Sequence, residues 1–107
     1  MVTEQLQRCI TACTGCAAEC RSCADHCSTM GMTDGVELCM ECAQHCEQCV
    51  QVMRSGSNAH CQHCAEICER CAGFCEAMPD DSRMSDCART CRMCAEECYR
   101  SASSPVG

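Results

Sequence analysis

Residues 9–27 read CITACTGCAAECRSCADHC, and the spacing of the six cysteines in this stretch decides the fold. Successive Cys are separated by alternating steps of four and three residues, which places all six side chains along one stripe of an α-helix. A β-strand would instead repeat every second residue. The segment therefore predicts a helix whose cysteine-lined face packs against other helices.

Three later segments repeat the same alternation of three- and four-residue steps. They read CMECAQHCEQC (39–49), CQHCAEICERCAGFC (61–75) and CARTCRMCAEEC (87–98). The intervals between them carry Gly, Pro, Ser and Asp, which are typical of turns. We predict four helices in one domain over residues 1–100 and a flexible tail over 101–107; the helices lie near 3–28, 34–54, 58–77 and 82–100. Because the connections are short, the fold is expected to be all-α, an antiparallel up-down-up-down four-helix bundle with a Cys-lined core.

The predicted helix starts carry side chains that suit N-caps. A capping-box-like Asp34 and Glu37 pair precedes the second run, Ser57 or Asn58 the third, and Asp81 or Ser82 the fourth. Gly15 and Gly73 fall inside helices, where each Gly costs about 1 kcal/mol relative to Ala. We therefore expect these two glycines to allow close approach of neighbouring helices.

The composition shows what fills the interior. Of 107 residues, 19 are Cys, while Leu, Ile, Val and Phe together number ten and Trp is absent. A core of Cys buries less apolar area than one of Leu or Ile, so a purely structural role is a poor explanation for thiols at every inward position. The core is expected to consist mostly of sulfur.

Charge and hydropathy exclude several function classes. The net charge is −7, no Lys is present, and one Tyr and one Phe provide no stacking surface, which argues against nucleic-acid binding. No run approaches the roughly 20 apolar residues of a membrane span. The first thirty residues hold no apolar run typical of a secretory signal, so we expect a cytoplasmic protein with reduced thiols.

Thiolates arranged in this way indicate storage of a soft metal, and Cu(I) suits the pattern best. Cu(I) accepts two or three thiolates, and residues four apart on a helix bring two sulfurs to one ion. One Cu(I) replaces one thiol proton, which leaves a buried core near neutral even when many ions bind. We interpret the chain as a store or buffer of many Cu(I) ions per chain.

Three other chemistries remain as alternatives. The first is a Zn(II) or mixed-metal thiolate sink, although Zn prefers discrete tetrahedral sites, commonly on turns. The second is an iron–sulfur carrier, although the strict alternation differs from ferredoxin spacings. The third is a thiol redox enzyme, which requires an exposed Cys of low pKa. Because no nucleophile with a positioned base is visible, we expect no enzymatic activity.

The four cysteine segments quoted above resemble those of the bacterial four-helix-bundle copper storage proteins, and without a secretory signal the chain is similar to their cytosolic branch. The resemblance covers about residues 6–100. It implies storage rather than catalysis, a homotetramer of bundles, and a role as copper ligand for every cysteine. These are Cys9, Cys13, Cys16, Cys20, Cys23, Cys27, Cys39, Cys42, Cys46, Cys49, Cys61, Cys64, Cys68, Cys71, Cys75, Cys87, Cys91, Cys94 and Cys98. The recipient of the copper is left open among a chaperone, an exporter and a copper enzyme.

Four methionines extend the cysteine stripes at one end of the expected bundle: Met30, Met32, Met78 and Met84. Thioether sulfur is a soft ligand for Cu(I), weaker than thiolate, so we interpret this end as the entrance for copper. Asp80, Asp81 and Asp86 add negative charge there, and His26 beside Cys27 is a further candidate ligand. The alternative is an apolar plug. Leu6 and Met53 are expected to seal the opposite end.

The other three histidines, His45, His60 and His63, each stand next to a cysteine in the sequence. A neighbour one step along a helix points about 100° away. We therefore expect these three side chains on the flank of the bundle, with His60 the strongest candidate for an exception.

Overall fold

The structure, a computed structural model, describes residues 1–105 and contains four α-helices. They are α1 (Glu4–Thr29), α2 (Thr33–Arg54), α3 (Cys61–Glu76) and α4 (Ser82–Ser103). Each helix packs against its two neighbours in a ring, since α1 contacts α2 and α4, and α3 contacts the same two helices. The rod measures 45 × 19 × 17 Å. The predicted antiparallel four-helix bundle is confirmed.

Two of the tight connections depend on glycines in the left-handed region. Gly31, two residues after the end of α1, has a φ of 73°, and Gly56, two residues after the end of α2, has a φ of 90°. Other residues adopt such angles only with strain, so Gly is favoured immediately beyond a helix end. These turns reverse the chain within a few residues and keep consecutive helices in contact.

The predicted helix caps are right for α4 and wrong for α2 and α3. The Asp81 carboxylate accepts hydrogen bonds from the backbone N–H groups of Arg83 and Met84. Within residues 1–105, neither α2 nor α3 has a side-chain cap. The Asn58 side chain instead donates to the carbonyl of Ser101, 2.9 Å away in α4, so the chain stays irregular there and α3 begins three residues after the predicted start at 58.

The predicted flexible tail from residue 101 is wrong for its first residues. Ser101 is fully buried, and its hydroxyl accepts a hydrogen bond from the Gln5 side chain. Because packing and hydrogen bonds hold it, α4 continues to Ser103. Residues 106 and 107 of the predicted tail lie outside the described residues.

The core is a column of sulfur closed by larger apolar side chains. Every cysteine is buried, and small alanines such as Ala43, Ala65 and Ala72 fill the space beside the column. Leu6 and Met53 are fully buried at one end, as the sequence predicts for an apolar seal. The thin core requires helices that approach closely, which the small Cys and Ala side chains allow.

Gly15 and Gly73 have no packing role in the described part of the chain. Both are exposed, and a methyl group added to either would meet nothing within 4 Å. The expectation that they allow helix contact is wrong, and nothing in the structure explains them. Among the described glycines inside helices, Gly35 at the start of α2 is the one in close contact: an added methyl group would lie 2.7 Å from the Cys27 sulfur.

Candidate metal centre

All nineteen thiols point into the bundle and are free of disulfides. The three-four alternation dictates this arrangement, because it keeps one face of each helix turned to the central axis. The thiol sulfurs occupy the position that branched aliphatic side chains hold in an ordinary bundle. The centre of the molecule is therefore both its core and its candidate metal site.

The sulfurs of α1 and α4 meet in two groups of close contacts. Cys98 Sγ lies 3.6 Å from both Cys9 Sγ and Cys13 Sγ. Further along, Cys91 Sγ lies 3.5 Å from Cys20 Sγ and 3.8 Å from Cys16 Sγ. Cys98 and Cys91 of α4 thus each bridge two α1 thiols that are four residues apart.

The facing pair of helices repeats this geometry. Cys68 Sγ of α3 lies 3.7 Å from both Cys42 Sγ and Cys46 Sγ of α2. Two further thiol pairs join α2 and α3: the sulfurs of Cys49 and Cys61 lie 3.8 Å apart, and those of Cys39 and Cys71 lie 3.9 Å apart. Sequence spacing predicts sulfur pairs along one helix, but these bridges between helices depend on how the helices pack.

Thiols from three or four helices also gather into groups of four. In each group all four sulfurs lie within 4.8 Å of one another. Five such groups are Cys13–Cys49–Cys64–Cys98, Cys16–Cys20–Cys42–Cys91, Cys16–Cys42–Cys46–Cys68, Cys20–Cys71–Cys87–Cys91 and Cys23–Cys39–Cys75–Cys87. Neighbouring groups share members, so the thiols form a network rather than separate pockets.

The spacing of the sulfurs suits a soft metal. A tetrahedral Zn(II) with four sulfurs at 2.3 Å requires sulfur–sulfur distances of about 3.8 Å. The observed distances of 3.5 to 4.0 Å lie in that range. Distances of this size allow metal ions to enter with small movements of the side chains.

Ionisation of the thiols is linked from one residue to the next. Burial raises the pKa of the Cys27 thiol, because the thiolate loses contact with water. In the adjacent pair Cys16 and Cys20, a hydrogen bond from Cys20 lowers the pKa of Cys16, and the same bond raises the pKa of Cys20. A buried column of this kind cannot ionise throughout without cations, so metal binding must displace protons.

The methionine end is less uniform than the sequence predicts. Met84 is fully buried, and its sulfur lies 3.6 Å from Cys23 Sγ and 3.8 Å from Cys27 Sγ. Met32 and Met78 are partly buried against the core. Met30 is 51% exposed and lines an open surface hollow together with Met78. Among the described residues, Met84 is the methionine whose sulfur accepts hydrogen bonds from thiols.

His26 lies at the same end, but its ring is engaged by a carboxylate. The His26 Nε2 atom lies 2.8 Å from Oδ2 of Asp81, the residue that caps α4. The same interaction lowers the pKa of the Asp81 carboxyl group. Of the three aspartates expected at this end, Asp81 therefore has a structural role as the cap of α4 and the partner of His26, while Asp80 and Asp86 are exposed.

The other three histidines lie outside the sulfur column, as the sequence predicts, and come together there. His45 of α2 stacks on His60 with ring centroids 5.4 Å apart, and His63 contacts both rings at 5.0 and 5.5 Å. Sequence reasoning missed this group. The three-residue spacing of His60 and His63 was the available signal, whereas the approach of His45 depends on the register of α2 against α3.

Within the described residues, no helix is both long enough and apolar enough to cross a membrane. The helices expose Glu, Arg and Gln on their outer faces, and pairs such as Arg92 with Glu76 (2.7 Å) join neighbouring helices across the surface. The cysteines and most of the large apolar side chains are directed inward instead.

The comparisons with known proteins agree with this geometry. A family model described as copper storage protein matches residues 2–103. The chain is similar to the Nmul_A1745 protein of Nitrosospira multiformis, with 39% identity, a TM-score of 0.83 and coverage of 94% of this chain and 96% of that one. No curated protein matches.

Two further similar structures carry a description of metal storage. One is the Cu(I)-bound copper storage protein BsCsp3, with 31% identity, a TM-score of 0.85 and coverage of 94% of this chain and 100% of that one. The other is the apo form of copper storage protein 3 from Bacillus subtilis, with 32% identity, a TM-score of 0.84 and coverage of 91% and 98%.

Proposed function

Since this chain belongs to the copper storage protein family, we propose that it stores many Cu(I) ions on the thiolates of its bundle core and that each of the nineteen cysteines is a ligand. The observation that carries the proposal is the shared network of sulfurs at 3.5 to 4.0 Å. The similar structure of BsCsp3 holds Cu(I). A storage role accounts for the thiols without any catalytic step.

Charge favours Cu(I) over Zn(II) in this core. A Cu(I) ion that replaces one thiol proton leaves the net charge of the column unchanged. A Zn(II) ion on four thiolates leaves two negative charges buried, and burial of uncompensated charge is strongly unfavourable. Thiols such as Cys16 and Cys42 also belong to two groups of four, so isolated tetrahedral ions cannot occupy every group without sharing ligands.

The groups of four thiols support a second candidate function, a Zn(II) or mixed-metal sink. Anaerobic titration of the fully reduced protein, followed by native mass spectrometry, separates the two. Dense Cu(I) storage predicts a plateau well above ten ions per chain. A Cu(I) plateau at four or fewer, with equal or greater retention of Zn(II), would replace the copper proposal with the zinc one.

We further propose that copper enters at the end where Met84 lies. Met84 contacts the thiols of Cys23 and Cys27, and an open hollow lined by Met30 and Met78 lies at the same end of the bundle. Weak thioether ligands exchange faster than thiolates. His26 is the remaining candidate ligand, and because Asp81 holds its Nε2 atom, it would bind copper through Nδ1 or after release from Asp81.

A variant with Met30, Met32, Met78 and Met84 all changed to Leu tests the entrance. Leu keeps the apolar volume and removes the sulfur, so Cu(I) uptake from a chelator is expected to slow while capacity stays nearly unchanged. Met53→Leu is the matched control, since Met53 is buried at the opposite end. Equal uptake rates in all three proteins would leave only the apolar-plug interpretation.

Location, assembly and the absence of catalysis complete the proposal. Nineteen free thiols require a reducing compartment such as the cytoplasm. We also propose the homotetramer that the family resemblance implies, and light scattering of the reduced protein tests it. The single-domain organisation over residues 1–100 predicts one cooperative unfolding transition.

A further inference from the structure

The group formed by His45, His60 and His63 has no role in the sulfur column. The rings lie on the outer side of α2 and α3, with His45 and His60 partly buried and His63 exposed. His60 immediately precedes α3, yet its side chain does not cap that helix. Among residues 1–105, the only hydrogen-bond partner of these rings is another ring of the group.

The distances within the group suit a metal ion. The His45 Nδ1 atom lies 3.2 Å from the His60 Nε2 atom. Two imidazole nitrogens bound to a tetrahedral ion at 2.0–2.1 Å are separated by about 3.3 Å, so an ion fits between them in place of the shared proton. His63 meets the His45 ring edge to face, with an interplanar angle of 80°. His63 is the proposed third ligand, and its χ2 torsion, which is broad for His, allows the ring to turn.

The chemistry of this group differs from that of the core. Imidazole favours borderline divalent ions such as Zn(II), Cu(II) and Ni(II), whereas thiolate favours Cu(I). The net charge of −7 also favours a cation. We propose that His45, His60 and His63 form a surface site for one divalent transition-metal ion, with a fourth position open to water, separate from the copper store.

The proposed histidine site and the thiol core lie on different faces of the same two helices, α2 and α3. His45 adjoins Cys46, and His63 adjoins Cys64, whose sulfurs lie 3.9 Å apart inside the bundle. Because consecutive residues on a helix point about 100° apart, thiols face the axis while imidazoles face outward. The site therefore needs no rearrangement of the core, and it does not depend on the proposed copper function.

Zn(II) is the probe for the test. The full chain, reduced and loaded with Cu(I) so that the thiols are occupied, is titrated with Zn(II) while the imidazole NMR signals of all four histidines are followed. The expected result is a joint shift of the signals of His45, His60 and His63 that saturates at one Zn(II) per chain. His26, which pairs with Asp81, is the internal reference and should not respond.

Single variants His45→Ala, His60→Ala and His63→Ala complete the test, with Gln48→Ala, at an exposed position of α2, as the matched control. Loss of a group that merely orients a ligand lowers metal affinity by about 10- to 100-fold, so loss of a ligand should weaken Zn(II) binding at least as much. Circular dichroism verifies that each variant keeps its helices, which is expected because the rings lie outside the core.

Three results would overturn the proposal: unmoved signals of the three rings in excess Zn(II), a shift of all four histidines alike, or equal Zn(II) affinity in wild type and variants. The group would then be a set of hydrogen-bonded and stacked rings only. If the core fails to take up Cu(I), the same signals are followed in the reduced apoprotein. Copper content and imidazole shifts thus report on the two proposals separately.

Discussion

Substitution of Gly35 by Ala tests the close packing at the methionine end. The new methyl carbon would lie 2.7 Å from the Cys27 sulfur and 2.9 Å from a ring carbon of Phe74. Real side chains do not approach so closely, so at least one neighbour must move. Phe74 is partly exposed and has room to shift, but the Cys27 sulfur is enclosed in the core.

The expected magnitude follows from two opposing effects. Ala is favoured over Gly inside a helix by about 0.8–1.0 kcal/mol. Overpacking of a filled core costs about 1–3 kcal/mol. The net effect of Gly35→Ala on the free energy of unfolding therefore ranges from near zero to a loss of about 2 kcal/mol.

Gly15→Ala and Gly73→Ala are the matched controls. They lie in α1 and α3, where an added methyl group meets no described atom within 4 Å. Each should stabilise the protein by about 0.8–1.0 kcal/mol, so Gly35→Ala is expected to fall about 1–3 kcal/mol below them. For a domain of this size each kcal/mol shifts Tm by about 4–8 °C.

The assay is chemical unfolding of the reduced apoprotein under anaerobic conditions, followed by far-ultraviolet circular dichroism. The reasoning would be refuted if Gly35→Ala stabilised the protein as much as the two controls do. It would also fail if the controls destabilised the protein, because another surface would then have to cover Gly15 and Gly73.

Three further predictions concern single side chains. Leu6→Ala should lower the free energy of unfolding by about 2–5 kcal/mol, because Leu6 is fully buried, and a loss below about 1 kcal/mol would argue against the apolar seal. Asp81→Asn should lower Tm more than the control Asp80→Asn. Since the folded-state pKa of Asp81 is lowered, its contribution is present above the ordinary pKa of 3.8 and is lost as pH falls through the folded value, so the two variants should converge in acid. Tyr99 donates a hydrogen bond to Glu69, which raises the pKa of the Tyr99 hydroxyl to about 12. Tyrosinate absorbance should therefore appear near that pH, and the contribution of the bond to stability should be lost as pH rises through that value. Glu69→Gln should move the midpoint of the Tyr99 titration toward about 10.

Local pattern was sufficient for the helices and for the inward face of every cysteine. The alternation of three and four residues is a property of each helix alone, so it predicts the buried stripe without knowledge of the neighbouring helices. The cap at Asp81 was predictable for the same reason, since its hydrogen bonds reach only Arg83 and Met84. The family resemblance is confirmed by the match over residues 2–103.

Predictions failed where distant residues decide the outcome. Asn58 suits a helix cap by its type, but it donates to α4, 43 residues away, and α3 begins later. Ser101 suits a tail by its type, but its buried contact with Gln5 extends α4. Met30 and Met84 continue the cysteine stripes alike, yet one is half exposed and the other contacts two thiols.

The sequence by itself thus determined a four-helix, thiol-lined bundle and the soft-metal chemistry of its core. Only the tertiary structure decided which thiols meet between helices, where Met84 contacts the column, and that His45, His60 and His63 share one surface group. The physical reason is that spacing within a helix is fixed by 3.6 residues per turn, whereas the register between helices depends on the packing of all their side chains together.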